Sequence, residues 1–147
     1  MSNIAEPPSY RAIESLIADY ALCVDQGDFA GVGALFADGV FGGSQGGRAG
    51  SEAVEKTMTD TVIRYDDGTP RTKHLVTNLS IQVDEEADTA TSRSYFTVLQ
   101  AAPDQPLQPI VSGRYYDEFR RKDGTWSFAR RRVEMDLTGD LSKHLRS

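Results

Sequence analysis

The strongest constraint in this sequence is its second half, where four strand-like runs follow one another with no helical period between them. They cover roughly Lys73 to Val83, Thr89 to Ala101, Pro109 to Arg121 and Thr125 to Leu137. The acidic stretch Asp84-Glu85-Glu86-Ala87-Asp88, the proline-rich Pro103 to Pro106 and the tight hairpin signal Lys122-Asp123-Gly124 separate them. What precedes the strands is helical. From Ser9, a suitable N-cap, apolar side chains recur at Ile13, Leu16, Ile17, Tyr20, Ala21 and Val24, the spacing of one buried helical face. Gly27 ends that helix and Asp28 caps a shorter one over Phe29 to Phe36. Ser51, with Glu52 and Glu55 behind it, opens a third that carries Ala53, Val54, Met58, Val62 and Ile63 to about Tyr65. Helices first and long antiparallel strands afterwards is the α+β pattern, with the helices packed in the concave face of a curved sheet. Such a sheet leaves a cone open at one end, and a pocket is expected there.

Composition narrows the function. At 147 residues the chain reads as a single domain over 9–147 that can bury a core without staples, preceded by a loose arm over 1–8 with two consecutive prolines. A net charge of −6 and a pI near 4.9, with no basic stripe, argue against nucleic acid and against an anionic membrane surface. There is no run of about 18 apolar residues and no secretion signal, so the expectation is a soluble, cytoplasmic protein. Cys23 is alone, which excludes a disulfide framework and a cysteine zinc site. Asn78-Leu79-Ser80 matches a glycosylation acceptor but falls inside an expected strand. Between Asp38 and Gly50, Val40-Phe41 is followed by Gly42, Gly43, Gly46, Gly47 and Gly50. Without a Gly-Lys-Ser/Thr ending this reads as a flexible loop and not a phosphate cradle.

The chemistry centres on Thr72-Lys73-His74-Leu75-Val76-Thr77-Asn78-Leu79, which holds one of two histidines. Asp25, at the end of the first helix, is its natural partner. A carboxylate placed against a helix C-terminus opposes the helix dipole, and one kept where it costs stability is often kept for chemistry. An imidazole oriented and supported by a carboxylate is a general base. Simple alternation sets His74 on the strand face opposite Leu75, Leu79, Ile81 and Val83, which is the weak point of the pairing. Among Arg130, Arg131 and Arg132, alternation puts Arg131 on one face with Ala129, Val133 and Met135. No second histidine or carboxylate cluster lies near His74, so no metal is expected.

Tyr20 with Cys23-Val24-Asp25-Gln26-Gly27-Asp28, then Lys73-His74-Leu75-Val76-Thr77-Asn78, Arg114-Tyr115-Tyr116-Asp117-Glu118-Phe119 and Asp123-Gly124-Thr125-Trp126-Ser127-Phe128, resembles the SnoaL-like branch of the nuclear-transport-factor-2-like (NTF2-like) cone fold. The likeness runs from about Tyr10 to Leu145. Within that superfamily it is closest in mechanism to scytalone dehydratase, bile acid 7α-dehydratase and hexachlorocyclohexane dehydrochlorinase, cofactor-free lyases built on an Asp–His dyad. The resemblance implies that Asp25 and His74 are that dyad, and that Arg131 and Tyr20 are polar catalytic residues of the pocket. It also implies substrate contacts from Tyr95 and Thr97, pointing inward, and from Met58. The second pocket histidine of scytalone dehydratase has no counterpart, because His144 lies in the tail. The implied activity is elimination or isomerisation on a small hydrophobic cyclic substrate. Two alternatives are a non-catalytic binding or oxygenase-associated subunit, and a polyketide cyclase in which an aspartate does the acid–base work. Exposed sheet surface and the Pro103 to Pro109 loop suggest a homo-oligomer, trimer or dimer.

Overall fold

A computed structural model describes residues 8–43 and 46–147; most of the expected arm over 1–8 lies outside the described residues. Three helices, α1 (Pro8–Gln26), α2 (Phe29–Leu35) and α3 (Ser51–Thr61), alternate with and then precede six strands. The strands are β1 (Val40–Gly43), β2 (Gly46–Ala49), β3 (Thr72–Asp84), β4 (Thr89–Gln100), β5 (Gln108–Lys122) and β6 (Thr125–Thr138). They form one sheet in the order β2-β1-β6-β5-β4-β3, antiparallel except where β1 runs parallel to β6. The helices cover its concave face, as expected. No helix among the described residues is long and apolar enough to cross a membrane.

The α1 stripe Ile13, Ile17, Tyr20 and Val24 is buried against the sheet. Ser9 lies inside the helix rather than at its cap, and its hydroxyl accepts from Trp126 Nε1 at 3.2 Å. At the other end Gly27 adopts a φ of +75°, its N–H donating to Val24 O while that of Asp28 donates to Cys23 O. A Cβ at Gly27 would come 2.0 Å from the Gly68 carbonyl oxygen, so this turn requires glycine. Asp28 then caps α2, its Oδ1 accepting from Gly31 N–H at 2.9 Å.

Two expectations need correction. The glycine-rich stretch is not a loose loop: β1 and β2 form a hairpin whose first strand docks on β6. Its glycines permit close backbone approach, since a Cβ at Gly42 would meet Gly46 O at 2.2 Å. And α3 stops at Thr61, four residues early, because Val62 turns extended (φ −93°, ψ 129°) and bridges Leu145 near the C-terminus. The apolar pair Val62-Ile63 belongs to that bridge rather than to a helical face.

The core divides along the cone axis. At the closed end Phe128 stacks on Phe36 and packs at a tilt against Phe119, with Trp126 and Phe29 buried in the same core. At the open end a cavity of about 840 Å³ is left between the sheet, α1, α3, the glycine hairpin and the C-terminal segment.

Candidate active site

Asp25 stands in the last turn of α1, facing the start of β3. Its Oδ1 accepts from Thr72 Oγ1 at 2.8 Å and from His74 Nδ1 at 2.6 Å, and its Oδ2 accepts from the His74 backbone N–H at 2.8 Å. Burial alone would raise the Asp25 pKa, but the bonds from the His74 ring, the His74 backbone and Thr72 outweigh it and hold the carboxyl below its usual value. An ionised Asp25 fixes the proton on His74 Nδ1, which leaves Nε2 as the free lone pair of a residue that lines the cavity. Both side chains are about nine-tenths buried.

His74 faces inward because β3 is not a plain alternating strand. Its register with β4 shifts between Thr77 and Ser80, where Asn78 takes a φ of +54°. The extra residue swaps the faces, so Thr72, His74 and Val76 share the concave side with Ile81 and Val83. Leu75 is exposed on the other, and Leu79, within the shift itself, is exposed as well.

Tyr20, five residues before Asp25 on α1, sets its ring edge-on to His74 at 6.5 Å and to Tyr115 of β5 at 6.0 Å. Both tyrosines line the cavity. Burial pushes the Tyr20 phenol up to about 12, Arg131 pulling the other way, and pushes Tyr115 well above its ordinary value, so both remain hydrogen-bond donors around neutrality. Arg131 is fully buried but is not on the cavity wall. Its guanidinium forks onto Asp117 (Nε to Oδ1 2.8 Å, Nη2 to Oδ2 2.9 Å) and lies 3.7 Å from the Tyr115 ring centre and 4.4 Å from that of Tyr20. Burial works against its charge and Asp117 more than restores it. Arg131 thus stands behind the two tyrosines and not on the cavity surface.

Of the expected substrate contacts, Met58 lines the cavity and the β4 pair does not. Tyr95 is 52% exposed, and the Thr97 hydroxyl bonds Ser112 Oγ at 2.9 Å on the convex side. The inward positions of β4 are the even ones, so Phe96 and Val98 form that wall.

His144 also departs from expectation. The chain after β6 folds back across the open end, held by Ile63 N–H to His144 O, Arg146 N–H to Thr61 O and Gln100 Nε2 to Lys143 O. This carries the His144 ring to 6.2 Å from His74, into the same cavity. Burial lowers its pKa to about 4, with the nearby His74 adding to the effect and Asp25 opposing it, so the ring is neutral around pH 7. Its Nδ1 is buried without a partner among the described residues. Sequence reasoning also missed Tyr115, though its alternation with Gly113, Asp117 and Phe119 was a usable signal. For His144 the signal was the spacing of Leu141, His144 and Leu145. Among the described residues no three of His, Cys, Asp or Glu gather as a metal site would require.

A curved, unclosed, mostly antiparallel sheet with three helices in its concave face is the NTF2-like, or cystatin-like, architecture. Residues 6–132 match the SnoaL-like domain family, and the chain belongs to it. Among solved structures, Rv3472 from Mycobacterium tuberculosis, a protein of unknown function, is 28% identical with a TM-score of 0.72, over 87% of this chain and 72% of that one. A protein from Novosphingobium aromaticivorans provisionally assigned as a scytalone dehydratase is 28% identical, TM-score 0.69, over 90% and 87%. Hexachlorocyclohexane dehydrochlorinase LinA-type3 from Novosphingobium barchaimii LL02 shares the fold at 20% identity, TM-score 0.70, over 89% and 88%. No curated protein matches the sequence.

Proposed function

We propose that this protein is a cofactor-independent lyase acting on a small hydrophobic cyclic substrate, with His74 as general base and Asp25 as the group that orients it. The observation that carries the reading is the commitment of His74 Nδ1 to Asp25 while the same ring lines an apolar cavity. Nε2 takes a proton from a carbon beside the leaving group, the C–H electron pair becomes the new double bond, and the leaving group departs with its own pair. Asp25 stabilises the imidazolium that forms. Tyr20 and Tyr115 are protonated donors facing the same space, suited to receive a departing hydroxide or halide or to hold a developing oxyanion. His144, neutral and within the cavity, is a further donor or acceptor for that group. Arg131 is a positioning residue for the tyrosines. Exclusion of water by the apolar walls strengthens each of these interactions. The family membership and the 28% identity to a protein provisionally assigned as a scytalone dehydratase support the same class.

The test is a turnover screen of cyclic alcohols and halides bearing an acidic proton next to the leaving carbon. On any compound turned over, His74→Ala is expected to lower kcat by about 10³-fold, and Asp25→Asn by about 10²-fold or more, with binding largely kept. Wild-type kcat in His74→Ala would sink the reading. An aspartate would then do the acid–base work, as in the cyclase alternative, whereas no turnover of any compound in the screen would make the chain a binding module of the same fold.

A further inference from the structure

The cavity that His74 lines is apolar along most of its wall, yet two arginines line it as well: Arg48 of β2 and Arg146 of the C-terminal segment. Both are exposed, which sets them at the mouth rather than the floor. Arg48 pairs with Phe41 across the hairpin, and Phe41 pairs with Arg131 across β1 and β6. Cross-strand partners share a sheet face, so Arg48, Phe41 and Arg131 form one row on the concave side. Phe41 packs against Tyr20 at 5.9 Å, which ties that row to the reacting end of the cavity. Of the two arginines in the row, Arg131 has Asp117 as its countercharge. Arg48 has none: among the described residues neither its guanidinium nor that of Arg146 makes a hydrogen bond or ion pair. Among the described residues the one carboxylate on the cavity lining, that of Glu134, is already taken by Arg114 at 2.9 Å and Arg132 at 3.5 Å. In a chain of net charge −6, the described residues that line this cavity therefore include two arginines without a countercharge and no free carboxylate. Gly42, Gly43, Gly46 and Gly47 of the same hairpin line the cavity without side chains, which leaves room for a bulky scaffold beside Arg48.

We infer that the substrate is an elongated apolar molecule carrying a carboxylate at the end remote from the reacting carbon, and that Arg48 and Arg146 bind this carboxylate at the mouth while the ring system lies against His74. The inference takes from the proposed function only which end reacts. A guanidinium at a cavity mouth keeps its hydration until a carboxylate displaces it, so the two arginines select for charge without the penalty of a buried ion.

Fluorescence titration of the full chain with pyrenebutyrate and with its neutral analogue pyrenebutanamide tests this directly. Neither compound has a leaving group, so the readout is independent of turnover, and failure of the base reading would leave it standing. At low salt the acid is expected to bind about tenfold more tightly than the amide. In the double variant Arg48→Gln/Arg146→Gln the gap falls to about twofold or less, with amide affinity unchanged. In about 1 M NaCl, where the Debye length is about 3 Å, the wild-type gap closes in the same way. His74→Ala keeps the gap. Equal affinity of acid and amide, a gap that survives in the double arginine variant, or one abolished by His74→Ala instead, which would put the carboxylate on the base, each overturns the inference. Absence of saturable binding by the acid overturns it as well.

Discussion

Arg131 is the most demanding single residue to accommodate, a fully buried guanidinium whose Nη1 has no hydrogen-bond partner among the described residues. Its charge is tolerated because Asp117 meets it side-on through two bonds and three aromatic faces, those of Tyr115, Tyr20 and Phe128, lie within 5.1 Å of it. Among the described side chains Ser92 alone would remain to satisfy Asp117 if the arginine were removed. Arg131→Met is therefore expected to cost about 3–5 kcal/mol, and the double change Arg131→Met/Asp117→Leu clearly less, because no uncompensated ion is left behind. Urea unfolding of the two variants checks this, and a cost for Arg131→Met below about 1 kcal/mol would show that water reaches the pair. Much of this residue-scale picture was partly legible. Alternation did single out Arg131, although the count ran through Ala129, where β6 bulges between Phe128 and Arg130. The same kind of irregularity hid the orientation of His74, since a strand read by strict alternation has no place for the extra residue at Asn78. Asp117 was invisible as a partner because the β5 to β6 register is a tertiary fact. Tyr95 and Thr97 show the opposite error: the burial pattern of β4 is a clean alternation, and the resemblance alone had assigned the wrong half of it.

At the scale of elements, the site depends on two segments that announce themselves weakly: the glycine hairpin, which has no amphipathic pattern, and the chain after β6, whose only signal is the short spacing of Leu141, His144 and Leu145. The second is held mainly through backbone groups of Thr61, Ile63 and Lys143 and through the amide of Gln100, anchors that come from distant parts of the sequence. Its docking buries His144 as a neutral ring, and that makes its stability pH-dependent in a definite direction. The folded pKa of about 4 lies below the ordinary 6.5, so the unfolded chain binds the proton more readily. The contribution is fully present above about pH 6.5 and is lost as the pH falls toward 4. Between neutrality and about pH 5 the loss amounts to about 2 kcal/mol. Asp25, whose folded pKa is depressed, adds acid lability at lower pH, its contribution being present above the ordinary carboxylate pKa and lost as the pH falls from there through the depressed value. Urea unfolding at about pH 7 and pH 5 is expected to show this loss in the wild type and a smaller one, by that same margin, in His144→Gln. An identical pH dependence in both proteins would mean that His144 is not buried in solution.

The whole molecule is a cone with two differently packed ends, a division the order of helices and strands foretold in outline without saying where the packing stops. Phe128 and Phe96 allow a matched comparison, since both are strand residues almost fully buried on the concave face. Phe128 sits at the closed end, stacked on Phe36 at 4.8 Å and against Phe119 at 4.9 Å, with side chains on every side. Phe96 stacks on Tyr115 at 4.4 Å, but it also borders the open cavity. Removing the Phe128 ring creates an enclosed void lined by aromatic atoms that cannot collapse, whereas removing that of Phe96 enlarges a space already present. Phe128→Ala is expected to cost about 3–5 kcal/mol, and Phe96→Ala at least about 1 kcal/mol less, from urea unfolding with an unchanged slope in denaturant. The ligand-binding consequence runs the other way. Phe96→Ala alters affinity for a pyrene probe in the cavity, while Phe128→Ala, if still folded, leaves it near the wild-type value. Equal stability losses for the two would mean that the cavity is filled or collapsed in solution. The open end would then be as much a part of the core as the closed one, and no room would remain for a substrate against His74.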